Sequence, residues 1–240
     1  MNKLKTIIHY ECKTSFKYIW YFYGIQYAIL GLVTFIIAMC TGNYGNIGSN
    51  GIEINTMIYI GVLGVLGFKE DFKMLIQNGF NRKYIFIAEL TMFAFISGIM
   101  ALVDTLIGTL LSNFSSNYQS LFISIYGNAN LFVNWLWLFL VYMVICTLFF
   151  LSILIINKIG KKVALYFIVL LAGFITLLVT LFKVVLSRET AANVLAFILK
   201  SFGFMQDGSI NYFFPVLTLV LVVSILCLGA YSVVSRTELR

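Results

Sequence analysis

Charged residues are scarce in this sequence. Asp, Glu, Lys and Arg make up 10% of the 240 residues and hydrophobic residues make up 61%, whereas a soluble domain carries about 25% charged residues. This composition excludes an ordinary water-soluble domain and fits lipid as the solvent. There is a single proline, which favours long uninterrupted helices. Because nothing repeats with the ~10-residue alternation of membrane β-strands, we predict an all-α integral membrane protein.

Residues that carry catalysis or bind metals are also few. The one histidine, His9, lies near the N-terminus, and the apolar segments contain no HExxH, no GxSxG and no close carboxylate pair. The four cysteines form neither a CxxC pair nor a disulfide framework. A Walker A loop is missing too, because no glycine stands at the required spacing before Gly160-Lys161. We therefore expect no catalytic, metal or cofactor site in this chain.

Six apolar segments are candidates for crossing the membrane, which takes ~20 residues in a helix. They cover residues 18–40, 52–68, 84–111, 131–156, 163–186 and 212–234. The basic, amphipathic segment 1–17 is predicted to be an elbow helix in the headgroup plane, with a frayed tail as the alternative. The segment 187–211 has an apolar stripe too short to span and is predicted to be re-entrant or to lie on the outer surface.

The basic residues are distributed unevenly between the two sides of these spans. Thirteen of the sixteen Lys and Arg residues fall on one side, and only Lys183, Arg188 and Lys200 fall on the other. The positive-inside rule makes the richer side cytoplasmic, so we predict that both termini are in the cytoplasm. Because membrane orientation accounts for the net charge of +7, no nucleic-acid partner is implied.

The charged segment 69–83, KEDFKMLIQNGFNRK, has the pattern of a short cytoplasmic helix. Its acidic residues stand at the start, where they suit a helix N-terminus, and an Asn-Gly pair is typical of a helix end. Phe72, Leu75 and Ile76 give this helix an apolar side. An apolar side outside the membrane favours contact with another surface.

Glycines recur in the second span at every third position. Gly61, Gly64 and Gly67 would leave one face of this helix without side chains, which favours close packing against another helix. The alternative is a hinge that moves during transport.

Two acidic residues fall within the third span. Glu89 lies about 9 Å beyond Lys83 along a helix, and an ionised carboxylate there must face the bundle, water or a cation. It is either a pathway or gating residue, or a carboxylate that snorkels to pair with Arg82 or Lys83. Asp104 is expected near the outer surface and is weaker evidence for function.

The layout resembles that of the ABC-2 type permeases, the membrane subunits of ATP-binding cassette exporters common in Gram-positive bacteria. Four features carry the resemblance: the basic amphipathic start, the segment KEDFKMLIQNGFNRKYIFIAEL, the apolar half-helix VLAFILKSF, and six spans with both ends inside. The part NGFNRKYIF comes nearest to a motif, because such permeases often place a glycine and a basic pair where the coupling helix turns into the third span.

The resemblance implies an ABC-2, type V exporter-like permease fold in a bacterial cell membrane. It also implies a separate cytoplasmic ATPase that binds ATP and Mg²⁺, and a second permease chain, identical or different. The residues that it assigns to ATPase coupling are Phe72, Met74, Leu75, Ile76, Arg82 and Lys83. A helix lying on the inner leaflet is the alternative for this segment.

The size of the chain is similar to that of permeases in peptide exporters and lantibiotic immunity systems, including phenol-soluble modulin exporters. We therefore expect an amphipathic or antimicrobial peptide as cargo, in toxin export or immunity, with lipids or drugs as alternatives. A non-transporting sensor or assembly factor is the rival from another class. A secondary transporter is less favoured, because the only proline lies at the start of a helix.

Overall fold

The computed structural model describes residues 3–42, 51–67, 73–77, 79–114, 118–127, 130–160, 162–163, 165–166, 176, 180 and 188–235. Its helices are α1 (Lys3–Thr41), α2 (Glu53–Leu66), α3 (Lys73–Gln77), α4 (Arg82–Phe114), α5 (Leu121–Tyr126), α6 (Leu131–Ile159), α7 (Arg188–Ser201) and α8 (Phe213–Ser235). Within these ranges the only β pairing is one isolated bridge between Phe204 and Ile210. The prediction of an all-α fold is confirmed for this part of the chain.

Among the described residues, four helices, α1, α4, α6 and α8, are long and apolar enough to cross a membrane. This confirms the prediction of an all-α membrane protein. The second predicted span coincides with α2, whose 14 residues extend about 21 Å, less than the ~30 Å of a hydrocarbon core. The fifth predicted span, 163–186, lies almost entirely outside the described residues, so the count of six stays a prediction.

The first helix differs from the predicted elbow followed by a span. Helix α1 continues without a break from Lys3 to Thr41, a length of about 58 Å. The physical reason is that its first twenty-one residues contain neither glycine nor proline, so nothing in the sequence ends or bends the helix near residue 17. The basic segment therefore belongs to the same helix as the first span, and its location in the headgroup plane stays a prediction.

The chain divides into two compact units, residues 1–150 and 151–240. In the first unit, α4 is the central helix, in contact with α1, α2 and α3, and Trp135 of α6 donates a hydrogen bond to its Gly98 carbonyl at 3.1 Å. Its buried side chains recur with helical spacing and include Ile85, Ala88, Glu89, Met92, Phe93, Ile96, Met100 and Asp104. A helix enclosed in this way is the natural place for buried polar groups.

In the second unit, α7 turns back onto the start of α8. Gly203, at φ +90°, makes the turn, because an added Cβ would lie 2.7 Å from the Asn211 carbonyl oxygen. Thr218 donates to the Ser201 carbonyl at 3.0 Å. In the connection, the amide and hydroxyl of Ser209 both donate to Asp207, which lowers the pKa of that carboxyl. Helix α7 occupies the segment for which the sequence predicts a re-entrant or surface helix.

Candidate functional site

The predicted coupling segment contains the short helix α3. Its C-terminus is closed by two hydrogen bonds, from the Phe80 amide to the Leu75 carbonyl at 3.1 Å and from the Gly79 amide to the Ile76 carbonyl at 2.9 Å. With Gly79 at φ +75°, this is a Schellman motif, which fixes the direction in which the chain leaves the helix. Asn81 then accepts a hydrogen bond from the Lys83 amide and caps α4. The chain between α3 and α4 is therefore defined at both helix ends.

The coupling residues named from the sequence differ in their environment. Leu75 is 5% exposed, so this chain itself already covers it, whereas Ile76 and Arg82 are partly exposed and Lys83 is exposed. Phe72 and the side chain of Met74 lie outside the described residues. Within the described part of α3, the apolar side chain left for a partner is that of Ile76.

The glycine face of α2 lies directly against α6 and α4. A Cβ added at Gly64 would be 2.5 Å from the carbonyl oxygen of Cys146, closer than atoms can approach. At Gly61 it would lie 3.1 Å from the Phe149 ring, and at Gly67 it would lie 2.8 Å from Glu89 Oε2. Because the glycines leave this face without side chains, the helices can approach each other closely.

The Glu89 side chain on α4 is 1% exposed and extends toward Gly67 at the C-terminal end of α2. The ring of Phe93, one turn further on, meets Phe150 edge-on, with centroids 5.3 Å apart. The Glu89 carboxyl group therefore lies inside the first unit, where α2 and α4 pack together. Whether it acts in a transport pathway stays a prediction.

A second buried carboxylate, Asp104, holds together three helices. Tyr23 of α1 donates to Oδ1 at 3.0 Å, and Tyr142 of α6 donates to Oδ2 at 2.5 Å. The Tyr23 hydroxyl also lies 3.0 Å from the Met100 carbonyl oxygen. The two phenols thus satisfy both oxygens of the Asp104 carboxyl group. From the sequence, Asp104 was expected near the outer surface and was given little weight; its tyrosine partners are 81 and 38 residues away in the chain.

Glu53, the first residue of α2, brings a third acidic side chain into the interior. It is 1% exposed, and its Oε1 accepts the amide of Leu121 at 3.3 Å. Because Leu121 begins α5, its amide has no acceptor within that helix. Burial and then the charge of Glu53 raise the pKa of Tyr118, so this nearby phenol keeps its proton.

Glu53 and Asp104 lie close together. A Cβ added at Gly108 would be 3.6 Å from Glu53 Oε1, and Gly108 follows Asp104 by one helical turn. Glu53 therefore lies about one turn of α4 away from Asp104, close enough for the two acidic groups to interact electrostatically. The apolar segments contain no close pair of carboxylates in the sequence, and only folding brings these two together.

Several buried oxygen atoms beside this pair have no hydrogen-bond partner among the described residues. They are Glu53 Oε2, Gln26 Oε1 and Thr56 Oγ1. Thr56 lies next to both Asp104 and Tyr23, and the Gln26 amide nitrogen donates to the Ile52 carbonyl at 3.3 Å. We call Gln26, Glu53, Thr56 and Asp104 the acidic cluster.

Every buried ionisable Asp, Glu, Lys, Arg or His side chain in the described ranges is acidic. The four are Glu11, Glu53, Glu89 and Asp104. An ionised carboxylate without a compensating charge is costly in a low-dielectric interior. The acidic cluster must therefore take up protons or a cation. The part of the chain that the structure describes contains no group of three or more His, Cys, Asp or Glu side chains that could hold a metal ion.

No family model, curated protein or solved structure matches this chain. Its function must therefore be inferred from the sequence pattern and from the geometry described above.

Proposed function

We propose that this chain is the permease subunit of a heteromeric ABC exporter. The observation that supports this best is the position of α3, a five-residue helix inserted between two apolar helices and closed by a Schellman motif. Such an element is short, rigid and outside the long helices, as a coupling helix must be. The partner would be a cytoplasmic ABC ATPase, which binds the ATP and Mg²⁺.

Leu75 explains how α3 could pass a movement into the membrane. Because this side chain is buried in its own chain and α3 contacts α4, a displacement of α3 acts on α4. Helix α4 in turn packs against α1 and α2, so the movement reaches the centre of the first unit as a rigid-body shift. Ile76, with Phe72 and Met74, would face the ATPase.

The start of α4 supports a cytoplasmic position for this end of the bundle. Arg82 and Lys83 occupy the first turn, where the helix dipole disfavours cations by about 0.3–1 kcal/mol each. Anionic headgroups of the inner leaflet, or acidic groups of a partner, would offset this cost. We accordingly place both termini in the cytoplasm of a Gram-positive bacterium and the chain in its cell membrane.

The proposed assembly contains two permease chains and two ATPase chains. Its cargo is an amphipathic or antimicrobial peptide that enters from the cytoplasm or the inner leaflet, in toxin export or immunity. The apolar faces of α1 and α8 are largely exposed, which suits contact with lipid and with a second permease chain. Lipids and drugs are the alternative cargo.

The test is co-purification of the tagged chain with an ATPase from membranes of the native host. We expect a nucleotide-binding ATPase to be recovered in a ratio near one to one. Ile76→Asp should reduce its recovery at least tenfold, because a charge in an apolar contact costs several kcal/mol. Gln77→Asp is the matched control, since Gln77 is the exposed neighbour in the same helix, and should leave recovery unchanged.

Leu75→Asp is unsuitable for this purpose, because it would disrupt the chain itself. If the wild-type chain brings down no ATPase, the permease proposal is wrong and a sensor or assembly factor takes its place. Equal recovery with Ile76→Asp would show that α3 is not the coupling helix.

A further inference from the structure

The acidic cluster has more acceptor oxygens than donors. Asp104 is satisfied by Tyr23 and Tyr142, but Glu53 Oε2, Gln26 Oε1 and Thr56 Oγ1 have no partner among the described residues. All three side chains are at least nine-tenths buried, with exposures of 1%, 8% and 0%. Leaving such groups unsatisfied is expensive, at about 1–3 kcal/mol each.

These oxygens gather around the first turn of α2. Glu53 and Thr56 are three residues apart and share one face of that helix. Gln26 reaches the same turn from α1, because its amide nitrogen is hydrogen-bonded to the carbonyl of Ile52. Thr56 lies next to Asp104 on α4. Side chains of three helices therefore meet near the first turn of α2.

We propose that the acidic cluster is a binding site for an alkali metal cation, with ligand oxygens from Glu53, Thr56 and Gln26 and with Asp104 held beside them by Tyr23 and Tyr142. Hard cations bind carboxylate, amide and hydroxyl oxygens of this kind. Since both Asp104 oxygens already accept hydrogen bonds, a single unshared carboxylate oxygen remains, on Glu53. One free carboxylate oxygen among neutral ligands fits a monovalent ion better than a divalent one.

A proton alone would satisfy the cluster less well. A proton on Glu53 would neutralise this carboxylate, but it would supply no partner that reaches all three oxygens. Gln26 and Thr56 would still be unsatisfied. A cation can be coordinated by the three oxygens together and neutralises the charge of Glu53, so it is the better occupant on physical grounds.

The cation would fasten α1, α2 and α4 to one another. By the predicted topology, the cluster lies in the outer part of α2 and α4 and at the middle of α1, so we expect the ion to come from the external solution. This inference does not depend on the proposed ATPase partner, because the site is complete within one chain.

The first experiment is thermal unfolding of the purified chain in detergent, followed by tyrosine and tryptophan fluorescence. The midpoint is compared in NaCl, KCl and choline chloride at equal ionic strength and pH. We expect NaCl or KCl to raise it by about 3 °C or more over choline chloride, because a ligand that binds only the folded state stabilises it. Glu53→Gln and Thr56→Val should abolish the rise.

Glu89→Gln is the matched control, because it removes another buried carboxylate on α4, about 22 Å along the helix from Asp104. It should keep the full response to the cation. Thr56→Val also guards against misfolding, since valine has the shape of threonine and both carboxylates remain. Equilibrium binding of radioactive sodium or rubidium should show one site per chain in the wild type and none in Thr56→Val.

Identical midpoints in the three salts together with no bound radioactive ion would overturn the proposal. So would a midpoint that responds to pH and not to the cation, which would identify a proton as the occupant. A response to CaCl₂ alone would refute the monovalent assignment, and loss of the response in Glu89→Gln would show that the effect is not located at the cluster.

Discussion

Gly64 offers a sharp test of the packing between α2 and α6. In Gly64→Ala the new Cβ would lie 2.5 Å from the Cys146 carbonyl oxygen and 3.3 Å from the Cys146 Cα. Ordinary non-bonded contact begins at about 3.4 Å, so the helices must separate by roughly 0.9 Å. Because the obstacle is backbone, it cannot swing aside, and overpacking of this kind costs about 1–3 kcal/mol.

Gly31→Ala is the matched control. An added Cβ at Gly31, in α1, would meet nothing within 4 Å, so this variant gains only the preference of alanine for a helix, about 1 kcal/mol. The same preference applies at Gly64, and the difference between the two variants isolates the overpacking cost. We expect Gly64→Ala to unfold at a midpoint roughly 6 °C below Gly31→Ala, from about 2 kcal/mol.

The assay is thermal unfolding of both purified variants in the same detergent. Gly61→Ala should fall between them, because it meets the ring of Phe149 at 3.1 Å and a side chain can move. If Gly64→Ala is as stable as Gly31→Ala, α2 and α6 do not approach as closely as described.

Three further predictions concern the cluster, the topology and Glu89. Tyr142→Phe should lower the free energy of unfolding by about 1–3 kcal/mol in thermal unfolding, because it removes a donor from buried Asp104. The control Tyr166→Phe changes an exposed side chain and should not lower it. Equal stability of the two variants would refute the role of the Tyr142–Asp104 bond. In a cysteine-free chain, Asp207→Cys and Asn130→Cys should react with an impermeant maleimide in intact cells, and Gln77→Cys and Lys158→Cys should not; labelling of Lys158→Cys would contradict the six-span topology. Glu89→Gln should reduce the stimulation of ATP hydrolysis by cationic peptides more than by neutral ones, and an unchanged response would return Glu89 to a snorkelling role.

The class of fold could be predicted from the sequence because it depends on composition and segment length. Long apolar runs without proline leave few alternatives to membrane helices, and α4, α6 and α8 lie where the apolar runs are. The continuity of helix α1 was harder to predict. The change from basic to apolar residues near residue 17 suggested an elbow, but hydrophobicity changes there without a helix-breaking residue, so α1 continues.

The acidic cluster could not be predicted, because no local pattern encodes it. Asp104 meets Tyr23 and Tyr142 through packing of helices that are far apart in the chain, and in a segment this apolar the hydrophobic periodicity does not show which face is buried. The signal that could have found it is the occurrence of acids in apolar spans without a basic residue nearby. By that criterion Asp104 and Glu53 merited the same attention as Glu89.

The central claim, that this chain is the permease of an ATP-driven exporter, is tested most directly by transport in inside-out membrane vesicles. The vesicles contain the chain and its co-purified ATPase, and uptake of a labelled amphipathic peptide is followed with and without ATP. We predict ATP-dependent accumulation that disappears when the chain is omitted or carries Ile76→Asp. Accumulation that is the same without the chain, or no uptake of any amphipathic peptide, lipid or drug while the ATPase is active, would contradict the claim.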